Sequence, residues 1–153
     1  MSSRSPKLSR ASIGFCLGLL IGCGDASGPA PEAARETAVA LKLVGLQYGD
    51  YMASNRGAAP KDLESYRKFV ESRLADLANY NVKSADDILN SRRDGLPFTL
   101  ICGKKILDPD QPDLPWAAYE QTGVDGKRLA ANTRGGVVEL TAEEFARRVP
   151  GAP

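Results

Sequence analysis

Residues 128–145 read RLAANTRGGVVELTAEEF. Two short runs, Arg128–Thr133 and Val137–Leu140, flank Arg134, Gly135 and Gly136, and the glycines supply the positive φ that a tight antiparallel connection requires. Thr141 then stands as an N-cap, with Glu144 three residues on. That spacing lets the two side chains satisfy each other's free backbone donors, and Phe145 is the inward anchor of the helix that follows. The stretch therefore predicts a hairpin running directly into a short closing helix.

Upstream of it, Phe98–Cys102 and Trp116–Glu120 are further short, β-prone runs. Before residue 95 the pattern is helical. From Glu32 to about Tyr51 the residues Ala34, Thr37, Leu41, Val44, Tyr48 and Tyr51 recur at steps of three and four, which line one face of a helix. Gly45 and Gly49 interrupt this helix at about 1 kcal/mol each relative to Ala, which predicts a close neighbour on that side. Ser54–Gly57 ends it as a loop. A second helix is expected from Pro60 to about Asn79, with Leu63, Tyr66, Val70, Leu74 and Leu77 buried. A third, short helix is signalled by Ser84 as N-cap and Asp87 three residues on, ending before Gly95. Helices first and strands afterwards predict an α+β fold, with N-terminal helices packed on one face of a small antiparallel sheet and a short C-terminal helix.

The first 31 residues have another character. Arg4, Lys7 and Arg10 precede the apolar stretch Ile13–Ile21, about half the length needed to span a bilayer. This is the layout of a signal peptide over 1–22. The order Leu20, Ile21, Gly22, Cys23 resembles the bacterial lipobox, which implies cleavage after Gly22 and lipidation of Cys23, the thiol that takes the diacylglyceryl group. Several acyl chains make such attachment durable. Residues 24–31, GDASGPAP, continue from Cys23 as a flexible tether. A single domain is expected over 32–150. The implied location is exported and lipid-anchored to the cell membrane or outer membrane, periplasmic or surface-facing.

Composition narrows the chemistry. Without residues 1–22 the chain carries 17 Lys+Arg against 19 Asp+Glu. That balance speaks against a nucleic-acid partner, which calls for a basic face. The chain has no histidine, which excludes His-based general bases, Ser-His-Asp and Cys-His systems and most zinc sites. Cys16 leaves with the leader and Cys23 is acylated, so Cys102 has no partner for an internal disulfide and is expected as a small buried hydrophobe. Asp86–Asp87 and Glu143–Glu144 are acidic pairs in helix first turns, favourable to the helix dipole. Asp108, Asp110 and Asp113 alternate with Pro109, Pro112 and Pro115 in what reads as a loop, either a solvated acidic loop, the favoured account, or one whose three carboxylates could converge as ligands for a hard cation such as calcium. No other cofactor is expected. Trp116 is expected to plug the core.

The string LKLVGLQY, residues 41–48, with the following Pro60, is similar to the first mature helix of pilin-like and pseudopilin-like exported bacterial proteins. Tyr119–Thr122, then GGVVELT at 135–141 with Glu144 and Phe145, looks like the terminal hairpin and close of the same group. The resemblance implies a pseudopilin-type α+β domain and, by analogy with calcium-binding pseudopilins, a calcium loop in the sheet region. Gly14 and Phe15 imitate the pilin cleavage site, but Leu19 stands where the family's Glu belongs and the apolar run stops at Cys23. Together these features predict a lipid-tethered, non-enzymatic scaffold or interaction module among envelope proteins. The alternatives are a calcium-stabilised secretion component and an envelope enzyme using carboxylates.

Overall fold

The computed structural model describes residues 31–152, and the expected signal peptide, Cys23 and the expected tether up to residue 30 lie outside them. The fold is α+β. A long helix, α1 (Pro31–Ser54), is followed by α2 (Leu63–Ser72), a single turn α3 (Leu74–Leu77) leading into a 3₁₀ turn (Ala78–Tyr80), and a single turn α4 (Asp86–Leu89). Five strands come next, β1 (Thr99–Leu100), β2 (Ile106–Asp108), β3 (Gln111–Tyr119), β4 (Lys127–Asn132) and β5 (Val137–Thr141), and α5 (Ala142–Arg148) closes the chain.

All strand pairings are antiparallel. The order is β1-β3-β4-β5, with β2 also on β3. Because β1 pairs with Ala118 and Tyr119 while β2 pairs with Pro115 and Trp116, the two lie end to end on one side of β3. They are in effect one strand, interrupted where Gly103 takes a positive φ and its N–H donates to Pro60 O at 2.7 Å. The expected β4–β5 hairpin is present, with Lys127 opposite Thr141 and Ala131 opposite Val137. Gly135 has φ 74°. Asn132 shapes the turn from within: its side-chain oxygen accepts from the N–H groups of Arg134 and Gly136.

The alternation of side chains divides the core in two. On one face of the sheet Leu41, Val44 and Tyr48 of α1 pack with Tyr66, Val70, Ile88 and Leu89 over Ala117, Leu129 and Ala131. On the other, Phe145 and Val149 pack with Ile101, Ile106, Trp116, Tyr119, Ala130 and Leu140. Thus the N-terminal helices cover one face as expected, while α5 covers the opposite one. Fully burying a side chain of Val or Leu size contributes about 1.5–3 kcal/mol, so both layers matter to stability. Two phenols tie the larger core together: Tyr48 donates to Ile101 O and Tyr66 to Val44 O, each at 2.7 Å. Burial holds both hydroxyls protonated far above the ordinary phenol range.

Three local expectations are corrected. The second helix starts at Leu63, not Pro60, because Asp62 caps it: Ser65 N–H donates to Asp62 Oδ1 at 2.8 Å, and Asp62 N–H to Ser65 Oγ. It also breaks at Arg73, where Ser72 Oγ donates to Phe69 O and competes with the helical ladder. Ser84 does not cap α4. Instead Asp87 reaches back to accept from the N–H groups of Lys83 and Ser84, at 2.8 and 2.9 Å.

The close neighbour predicted at Gly45 and Gly49 is the backbone of β4 and the turn after it. A Cβ on Gly45 would lie 2.4 Å from Asn132 O, and one on Gly49 2.3 Å from Thr133 O. In an exposed helix Gly→Ala stabilises by about 1 kcal/mol. Here Gly49→Ala is expected to reverse the sign and destabilise by about 1–3 kcal/mol through overpacking, read as a lower midpoint in urea unfolding. An unchanged or raised midpoint would show that the helix is free to move off the sheet.

Candidate functional site

The first turns of α1 form one wall of a surface groove of about 420 Å³. Its floor is apolar, with Ala40, Leu43, Val82 and Ile88. Two large apolar side chains stand exposed beside it, Val39 at 55% and Tyr80 at 60%. The helical period explains this wall: residues 36, 39, 40 and 43 share a side of α1, while Leu41, Val44 and Tyr48 turn to the sheet. The rim carries Arg35 and Arg92 against Glu36 and Asp87, so its charges balance. Asp87 spends its carboxylate on the Lys83 and Ser84 N–H groups, which hold it below the ordinary carboxylate range.

Arg92 belongs to a loop fixed from beneath. Its N–H donates at 2.9 Å to the hydroxyl of Thr37, a fully buried residue of α1. The preceding Ser91 is also buried, and its hydroxyl accepts from the N–H groups of Arg93 and Asp94 while donating at 3.0 Å to Glu120. Glu120, directly after β3, is 0% exposed. Its other oxygen accepts from Leu129 N–H at 2.8 Å and lies 3.6 Å from Arg93 Nε, which has no hydrogen-bond partner. The rest of the Arg93 guanidinium binds Glu139 of β5 and the Lys127 carbonyl of β4. Burial raises the Glu120 carboxyl above its usual range despite the donors aimed at it. The sequence reading missed Glu120, whose only sign was an acidic residue at the end of an otherwise apolar run.

The three aspartates proposed as metal ligands do not occupy one loop. Asp108 ends β2, Asp110 sits in the two-residue turn to β3, and Asp113 is exposed on β3 itself. Asp108, with its side chain 3% exposed, is ion-paired with Arg148. Asp110 takes a two-pronged contact from Arg147 at 2.6 and 2.9 Å, which lowers its pKa. The chemistry of this set is therefore carboxylate to guanidinium, and a cation would have to displace two arginines to use it. Among the described residues no group of three or more side chains is arranged to hold a metal ion.

Cys102 is only half-buried, unlike the buried hydrophobe expected, and lines a small depression with Tyr119 and Ile106. Burial, then the nearby Asp62 charge, push its thiol up, away from the thiolate form a nucleophile needs. Trp116 is the expected plug, buried with Nε1–H donating to Arg148 O at 2.8 Å. Asp86 and Glu144 are engaged locally, by Arg67 and by the Thr141 cap. Cys23 lies outside the described residues. No protein-family model, curated protein or solved structure matches the chain.

Three outcomes follow from these contacts. Arg148→Met leaves the buried Asp108 without its countercharge and is expected to cost about 3 kcal/mol in denaturant unfolding. The wild-type melting midpoint is expected to be the same with calcium as with chelator, and a calcium-dependent rise would restore the metal site. For Glu120 the sign is opposite to that of Asp110, whose contact with Arg147 lowers its pKa. Its folded pKa is raised, so its contribution to stability is fully present below the ordinary value of 4.5 and is lost as pH rises through the folded pKa. Relative to Glu120→Gln, the wild type should therefore gain stability as pH falls from neutral toward that value. A pH-independent difference between the two unfolding curves would contradict this assignment.

Proposed function

We propose that the chain is an exported, lipid-anchored envelope protein whose α+β domain is a non-enzymatic interaction module, held at a membrane through lipid on Cys23. The groove along the start of α1 carries this reading. Val39 and Tyr80 expose apolar surface there above an apolar floor, the pairing that marks contact surfaces on otherwise polar proteins. The balanced rim of Arg35, Arg92, Glu36 and Asp87 fits a polypeptide partner with mixed polar edges better than a polyanion or an anionic bilayer. Its place also suits a tethered protein. Residues 24–30 lie between Cys23 and Pro31, so the start of α1 stays within about 28 Å of the lipidated residue even in a fully extended tether.

The buried carboxylates of Glu120 and Asp108 are each taken up by backbone donors or arginines of the fold, which favours a structural role over carboxylate catalysis. The arginines on Asp108 and Asp110 likewise favour the scaffold reading over a calcium-stabilised secretion component. No helix among the described residues is long and apolar enough to cross a membrane, and the anchor proposed is lipid on Cys23, outside them. The pseudopilin resemblance enters as architecture only, a long N-terminal helix laid on an antiparallel sheet, with lipid in place of a filament-building apolar spine.

Two measurements test the two halves of the proposal. Native protein should fractionate with membranes and carry acyl mass on Cys23, and Cys23→Ser should shift it to the soluble fraction. Cys23→Ser protein that stays membrane-bound, with no lipid on the native form, would defeat the anchor. A photo-crosslinker at position 80 should give a discrete adduct with an envelope protein that Val39→Glu abolishes, while one at the exposed Leu107 gives none. Equal labelling from both positions would remove the groove as the contact surface.

A further inference from the structure

At the end of α1 far from Pro31, two loops distant in sequence bring their cations together. The loop after α1 carries Arg56 and Lys61, and the segment between β1 and β2 carries Lys104 and Lys105. Gly103 joins the two: its N–H donates to Pro60 O, and a Cβ built on it would lie 4.0 Å from Lys61 O. Lys105 Nζ lies 3.6 Å from where a Cβ on Gly57 would stand, which sets its ammonium beside the residue that follows Arg56. All four cations are exposed. We propose that this basic end is a second membrane contact, which lays the tethered domain on a bilayer surface rich in anionic headgroups.

Charge segregation carries the argument. From residue 31 on, the chain holds 17 Lys+Arg against 18 Asp+Glu, so positive charge gathered at one end is a local feature and not a property of the whole. Among the described residues none of the four cations enters an ion pair, whereas Arg67, Arg73, Arg93, Lys127, Arg147 and Arg148 all do. Lys104 Nζ donates at 3.1 Å to the Gly151 carbonyl, a neutral acceptor that leaves its charge in place. The carboxylates next to Lys61 are engaged elsewhere: Asp62 accepts from Ser65 N–H as the cap of α2, and Glu64 pairs with Lys68. Arg56 holds its place at φ 55°, left-handed backbone that Gly or Asn adopts at lower cost. Leu63, the first residue of α2, adds an apolar side chain 42% exposed two residues from Lys61. Cations beside an exposed apolar side chain suit the boundary between headgroups and acyl chains, whereas a soluble polyanion engages the charges alone. The place of the patch fits the anchor as well. The 24 residues of α1 span about 36 Å, with the tether at one end and the cations at the other. Once lipid on Cys23 is inserted, the second contact is intramolecular, and α1 lies along the surface instead of swinging on the tether.

The inference rests on the lipid anchor, and one experiment reads the two separately. Native protein is reconstituted with vesicles of phosphatidylcholine, or of phosphatidylcholine mixed with phosphatidylglycerol. Flotation with the neutral vesicles reads the anchor. A water-soluble amine-reactive label, quantified at each lysine by mass spectrometry, reads the patch. On the anionic vesicles Lys61, Lys104 and Lys105 are expected to react about fivefold more slowly than on the neutral ones, and about 1 M salt to abolish the difference, while Lys83 and Lys127 keep their rates. Lys104→Glu combined with Lys105→Glu, both at exposed positions, should return Lys61 to its rate on neutral vesicles. Equal rates on both kinds of vesicle overturn the contact, as does an equal fall at all five lysines or a Lys61 that stays slow in the double variant. Slowing by soluble polyphosphate but not by anionic vesicles overturns the bilayer as the occupant. A chain that floats with the anionic vesicles alone defeats the anchor and sustains the patch.

Discussion

The close approach of α1 to the backbone of β4 is the constraint from which the rest of the architecture follows. Two glycines one turn apart leave no room for a Cβ between the helix and the carbonyls of Asn132 and Thr133. The sheet answers with small side chains: Ala117, Ala118 and Ala131 are buried in the layer beneath the helix. With the helix this near, the large side chains of α1 are displaced to either side of the glycine stripe. Leu41, Val44 and Tyr48 fill the core with Tyr66 and Val70 of α2 and Ile88 and Leu89 of α4, while Val39 is left facing solvent. The groove is therefore a by-product of how the helix is seated.

The opposite face of the sheet solves a different problem. A short sheet of alternating pattern must bury its second row of side chains, and among the described residues α5 is the helix that does so. It covers Trp116, Tyr119 and Leu140 with Phe145 and Val149, and the ring of Phe145 meets Tyr119 edge-on at 4.9 Å. Seven residues of helix supply little packing area, and polar clamps supplement it. Arg148 reaches Asp108, accepts the Trp116 indole N–H on its carbonyl and stacks its guanidinium over the Trp116 ring. The aspartates of the β2–β3 hairpin are thus used to fasten the last helix. That fastening gives the clustering of Asp108 and Asp110 a role within the fold.

Features governed by neighbours in sequence were legible in advance. The Gly135–Gly136 hairpin and the Thr141–Glu144 capping box are fixed by local backbone chemistry, and both form as predicted. The helical stripe through Leu41, Val44 and Tyr48 is set by the 3.6-residue period, and it too is buried. What was not legible in advance depended on distant partners. Ile106–Asp108 was invisible as a strand because three residues hold no period of their own, and only the waiting edge of β3 makes them one. The carboxylates at 108 and 110 invited a cation because the arginines that neutralise them lie about 40 residues downstream. Glu120 was passed over for the converse reason: its burial depends on Ser91 and Leu129, and neither identity announces that role.

Glu120 also shows why the groove and the interior are not separate matters. A buried carboxylate is costly unless it orders several donors, and an apolar replacement of similar size often stabilises a fold. Stability alone therefore gives little reason to keep Glu120 where it is. What it does secure is geometry: it gathers the 91–94 loop, the end of β3 and the start of β4 onto one pair of oxygens. The same loop is fastened to α1 through Thr37 at Arg92, whose side chain is part of the groove rim. Glu120 is thus a charge that costs stability while fixing the place of a surface side chain.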